Sequence, residues 1–157
     1  MMQQPKTKSS ADELTTPIGL YNFACSYHQA ARALEELKLR TTHPKSPVAF
    51  LYFHAIELFL KSFLRLHGHT VADLASRKFG HDYTQLQKRA TELDFFFMDE
   101  DLVVLEWLAK SDMWIRSRYI RTGYFEEPTS EALDRTAKSL RESVRQELKA
   151  KGIPAKR

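Results

Sequence analysis

The sequence predicts an all-α domain, an up-and-down bundle of about five helices. Three observations carry that expectation. The 157 residues include only five glycines and six prolines, so long stretches lack both helix breakers. Apolar residues recur at spacings of three and four, the helical period, rather than alternating as in strands. Two of these patterns open with a hydroxyl residue followed by proline, a favoured helix start.

The domain is expected over residues 16–151, with polar tails at 1–15 and 152–157. Thr16 caps the first helix, and Pro17 occupies its first position. Leu20, Ala24, Tyr27, Ala31, Leu34 and Leu37 form one apolar stripe that reaches about Leu39. Ser46-Pro47 repeats the signal for a second helix, which runs to about Leu66 and stops at Gly68. Val48, Phe50, Leu51, Phe53, Ile56, Leu58, Phe59, Leu60, Phe63 and Leu64 make this helix apolar around most of its circumference. A helix of that kind belongs at the centre of a bundle.

Thr70 to Lys78 has room for a short helical turn before Gly80. Asp82 then caps a third helix, with Tyr83, Leu86, Ala90 and Leu93 on one face. Asp99, Glu100 and Asp101 place negative charge at the start of a fourth, where the helix dipole favours it. This helix carries Leu102, Leu105, Leu108 and Ala109 and is extended in the reading to Ile120. Thr129 or Ser130 opens the fifth, whose stripe is Leu133, Ala137, Leu140, Val144 and Leu148. Short connections make neighbouring helices antiparallel, hence the up-and-down expectation.

Composition narrows the functional classes. The chain is 43% hydrophobic and 28% charged, the balance of a globular domain. Cys25 is the only cysteine, which rules out a disulfide within the chain and fits a reducing compartment. It sits in a helical pattern among Phe23, Ala24 and Tyr27 and reads as a small buried thiol. The N-terminus lacks the apolar core of a signal peptide. The most apolar window, Val48 to Leu64, is broken by His54, Glu57 and Lys61, so no membrane span is expected and the protein reads as cytoplasmic. The net charge of +4 admits nucleic acid as a partner without requiring it. No histidine, cysteine or carboxylate spacing suits zinc, and there is no glycine-rich phosphate loop, so neither metal nor cofactor is expected.

Four polar groups stand out. Glu57 and Lys61 lie one turn apart on the most apolar helix, in the order that favours an ion pair, with His54 one turn earlier. Such a pair either fixes helix docking, meets solvent at the bundle edge, or serves a ligand. His81-Asp82 follows Gly80; Asp82 has a complete explanation as a cap. Arg116, Arg118 and Arg121 are interleaved with Trp114, Tyr119, Tyr124 and Phe125, which suits phosphate gripping and base stacking or plain packing. Arg135, Lys138, Arg141, Arg145 and Lys149 share the last helix with Glu131, Asp134, Glu142 and Glu147, and mixed signs at that density read as a solvated face.

Three of these stretches, taken in order, resemble the HEPN superfamily of helical domains. They are Ala55-Ile56-Glu57-Leu58-Phe59-Leu60-Lys61-Ser62-Phe63-Leu64, then Gly80-His81-Asp82-Tyr83 with Leu86 and Ala90, then Arg118-Tyr119. The similarity covers about Ile18 to Leu148. It implies a helical bundle that dimerises, in a superfamily rich in metal-independent RNases of toxin–antitoxin, phage-defence and CRISPR systems. Those enzymes carry an arginine followed, after four to six residues, by a histidine. Here no histidine follows His81, so Arg116, Arg118 and Arg121 lack that partner. Without it there is no general acid or base for cleavage by 2′-hydroxyl attack. The nuclease activity is therefore not carried over, and no residue is assigned as catalytic.

The leading expectation is a non-catalytic HEPN-like binding or assembly module, homodimeric, with a protein partner encoded nearby. The alternatives are an RNA- or nucleotide-binding protein and an RNase with a non-standard site. The candidate site is Glu57, Lys61, His81, Asp82, Arg118 and Tyr119, with His54, Arg116 and Arg121 as secondary members.

Overall fold

The computed structural model describes residues 10–110, 118–119 and 127–156. Every regular element among them is helical: α1 (Ser10–Leu14), α2 (Pro17–Leu37), α3 (Lys45–Leu66), α4 (Val71–Ala75), α5 (Tyr83–Glu92), α6 (Asp99–Lys110) and α7 (Ser130–Ala150). Seven helices replace the expected five, and the two additions are single turns. The α4 turn falls within Thr70 to Lys78, where the sequence has room for one; α1 lies in a segment expected to be a tail, and its five residues are too few to show a helical period.

The helix starts follow local chemistry. The Thr16 hydroxyl accepts from Gly19 N–H with Pro17 in the first turn, and the Thr129 hydroxyl accepts from Ala132 N–H. The Asp82 carboxylate accepts from Gln85 N–H at 3.1 Å. Thr70 and Asp73 cap each other reciprocally at α4. The Ser46 cap does not form: α3 begins at Lys45, two residues before Pro47, with Pro44 ahead of it and no side chain capping it. Gly68 follows α3 at φ 93°, a conformation that L side chains rarely adopt, and this ends the helix. The reading of α6 as far as Ile120 concerns residues outside the described ones.

Helix α3 is the hub, in contact with α2, α4, α5 and α7. Tyr52, Phe53, Ile56, Phe59, Leu60, Phe63 and Leu64 are buried from it. Tyr21 and Ala24 of α2, Leu86 and Ala90 of α5, Leu105 and Leu108 of α6, and Leu133, Leu140 and Val144 of α7 complete the core. Buried large side chains of this kind contribute about 1.5–3 kcal/mol each, so the hub carries much of the stability. By length and hydropathy α3 could also cross a bilayer, contrary to the expectation from its charged residues, but most of that window is buried inside the fold. Polar threads fix the helices' register: Tyr83 Oη donates to Phe53 O at 2.9 Å and Ser62 Oγ to Pro17 O at 2.8 Å.

The segments expected to be polar tails are partly built in. Arg65 donates to the carbonyls of Asp12, Thr15 and His69, so it ties α1 to the end of α3. The Asp12 carboxylate also accepts from Val71 N–H at 2.7 Å. At the other end Ala155 is buried, and Tyr21 Oη donates to Lys156 O at 2.9 Å.

Candidate functional site

Glu57 faces inward from the middle of α3 and is 3% exposed. Its two carboxylate oxygens are used separately. Lys61 Nζ, one turn on, donates to Oε1 at 2.7 Å and also to Gly80 O at 2.7 Å. His81 Nδ1 lies 2.8 Å from Oε2. Burial by itself would push the Glu57 carboxyl up. The hydrogen bond from His81 and the charge of Lys61 outweigh burial and hold it below its ordinary value. An ionised carboxylate only accepts, so the proton on this contact resides on His81 Nδ1.

The three residues come from two elements, α3 and the link between α4 and α5. Gly80 lets the link itself turn tightly: a Cβ there would lie 3.1 Å from the Ser76 carbonyl oxygen of the same link. Lys61 reaches across to the Gly80 carbonyl, and His81 arrives beside Glu57 as the next residue. Asp82 then leaves the cluster to cap α5. His81 retains an exposed edge, with 46% of its side chain accessible. That edge borders an open groove of about 700 Å³ that includes Ser76, Arg77, Gly80, Asp82 and Gln85 on one side and Leu108 and Ala109 on the other.

The structure therefore unites Glu57, Lys61 and His81 and uses Asp82 as a cap. It does not join Arg118 to Glu57 by a hydrogen bond or ion pair. Arg118 and Tyr119 are both exposed, with the guanidinium 5.5 Å from the Tyr119 ring centre. His54 joins an aromatic group instead: its ring meets Tyr27 edge-on at 4.4 Å and stacks on Phe50 at 6.0 Å. Burial there pushes the His54 imidazole down, so it favours the neutral form. Trp114, Arg116, Arg121, Tyr124 and Phe125 lie outside the described residues.

A second polar centre was not legible in the sequence. His28 is buried on the α2 stripe and makes a 2.7 Å contact through Nε2 with Asp134 of α7. Lys138 Nζ holds the other Asp134 oxygen at 2.6 Å. Burial depresses the His28 imidazole, with the Asp134 hydrogen bond opposing. Asp134 is itself held low: the hydrogen bonds from Lys138 and His28 outweigh its burial. The pattern contained a clue, since His28 continues the buried series Ala24 and Ala31. Asp134 follows the buried Leu133, on the flank of its own stripe.

The last helix consequently has no uniformly solvated polar face. Arg145 is buried and grips both Glu142 oxygens. Arg141 is half-buried beside Cys25, whose thiol is pushed up by burial and is itself half-buried. Asp101 is buried too: it accepts from Met98 N–H and from the Ser139 hydroxyl, the latter at 2.6 Å. Among the described residues no group of three or more His, Cys, Asp or Glu side chains is placed to hold a metal ion.

Set beside protein-family models, curated proteins and solved structures, the chain matches none.

Proposed function

We propose that the chain is a HEPN-like helical domain that works as a non-catalytic binding and assembly module in the cytoplasm. The resemblance to that superfamily suggests a homodimer and a protein partner of the toxin–antitoxin or defence type. One observation carries the non-catalytic reading: both Glu57 oxygens are already engaged, one by Lys61 and one by His81. A carboxylate held below its ordinary value has no proton to give near neutrality, and each of its oxygens already has a hydrogen-bond partner. Lys61 is likewise committed to Glu57 and the Gly80 carbonyl. The cluster behaves as a clasp that holds the link between α4 and α5 on α3 and shapes the groove beside it. Exposed apolar side chains at Phe96, Met98 and Val103 offer surface for assembly.

The test is incubation of the full chain with single-stranded RNA in EDTA, alongside sedimentation equilibrium. The expected result is intact RNA and a species of twice the 18.3 kDa chain mass. Metal-independent cleavage that His81→Ala abolishes would replace this reading with the RNase alternative. A persistent monomer would remove the homodimer from it.

The exposed Arg118–Tyr119 pair favours a second reading, RNA or nucleotide binding, because a guanidinium beside an aromatic ring can hold phosphate and base together. Binding measured across a salt series separates the two. Phosphate contacts give an affinity that falls steeply with salt, and Arg118→Ala would weaken it.

A further inference from the structure

Between α2 and α7 lies a cavity of about 500 Å³, within the range of small-molecule sites. None of its lining residues borders the His81 groove. Gln29, Arg32 and Arg141 reach it with polar heads, Cys25 and His28 form part of its wall, and Glu36 is the one acid among its lining residues.

The charges around this cavity are not balanced. Asp134 of α7 is already shared by His28 at 2.7 Å and Lys138 at 2.6 Å; Arg32 reaches it only at 3.8 Å. Among the described residues Arg141 forms no ion pair, although it is half-buried. The groups around its guanidinium are the neutral Tyr21 hydroxyl and Cys25 sulfur and the like-charged Arg145. A guanidinium withdrawn from water without a carboxylate gains strongly from an anion. Two guanidiniums opening on one cavity offer paired N–H forks, a geometry suited to a tetrahedral oxyanion. The part-buried His28–Asp134 contact fixes α2 against α7, so the two arginines are presented by packed helices rather than by loops. The volume exceeds that of a bare oxyanion and leaves room for the molecule that carries it.

We propose that this cavity is a binding site for a small phosphate monoester, with Arg141 and Arg32 gripping the phosphate and Gln29 meeting the remainder of the molecule.

The experiment is isothermal titration calorimetry of the full chain with inorganic phosphate, with glycerol phosphate, and with an RNA oligonucleotide lacking terminal phosphates. The wild type is expected to bind both small ligands saturably at about 1 mM or below. Glycerol phosphate should bind more tightly than inorganic phosphate. Arg141→Gln should weaken binding at least about tenfold, as for loss of a charge-assisted pair of hydrogen bonds. Arg135→Gln, an exposed change on the same helix and outside the cavity lining, should leave it unaltered. If Arg141→Gln fails to fold, the exposed Arg32→Gln supplies the same test. No heat from either small ligand would overturn the proposal. Equal losses in the Arg141 and Arg135 variants would also overturn it, because the effect would then be general surface charge. Tighter binding of the RNA than of either small ligand, lost with Arg141→Gln, would overturn the small-molecule assignment.

Discussion

Replacing Glu57 by glutamine keeps the side chain's shape and removes its charge. Lys61 would then keep only the Gly80 carbonyl as a full acceptor, with its side chain 13% exposed. Breaking a buried pair from one side costs about 3–5 kcal/mol, because the remaining charge is left without compensation. The His81 contact adds less, since that ring is nearly half exposed and water screens it. The glutamine carbonyl still accepts one hydrogen bond, so the lower end, about 3 kcal/mol, is expected. For a chain of this size that corresponds to a fall in Tm of roughly 6–12 °C. Differential scanning calorimetry and urea denaturation measure it, with an unchanged denaturant slope expected. The companion variant Glu57→Leu/Lys61→Met removes both charges and should regain most of the loss, since apolar replacement of a whole buried pair is often neutral. A loss below about 1 kcal/mol for Glu57→Gln, the scale of an exposed pair, would refute the clasp argument. A double variant as unstable as the single one would refute it too.

Acid should destabilise the fold in two stages. His28, His54 and His69 all have folded-state values below the ordinary 6.5, mainly through burial, so the unfolded chain takes up protons first and stability is lost as pH falls below 6.5. Glu57 and Asp134 are also depressed, so their contribution is complete above their ordinary 4.5 and 3.8 and is lost as pH falls through the folded values. Urea midpoints across pH should show both stages, and Glu57→Gln should flatten the lower one. Arg65→Ala should release α1, seen as faster proteolysis near Asp12 with little change in the global melt, because three carbonyls lose their donor. Gly68→Ala should cost about 1 kcal/mol by thermal melt; a Cβ there meets no neighbour within 4 Å, so the left-handed backbone is the sole source of the cost.

The sequence by itself determined the helical class, the long helices and most of their caps, because these depend on neighbours within four residues. Thr16-Pro17, Asp82 and Thr129 act where the chain places them. The Ser46 cap failed because proline's fixed φ suits Pro44 to lead α3, so the helix takes in Ser46 at its first turn. The Glu57–Lys61 pair was legible because its partners are one turn apart on a helix with little other charge. His81 entered the site as a residue of interest, but its partner was decided by a loop crossing 24 positions away from Glu57. The centre between α2 and α7 was hidden altogether. His28 and Asp134 are separated by 106 positions, and Asp134 sits among charges that look solvated in sequence. Only the packing of two distant helices decides which charge on such a face loses its water. That loss makes Asp134 a half-buried partner and turns Arg141 toward a cavity, and helical periodicity specifies a helix's own faces but not the side chains that another helix brings to them.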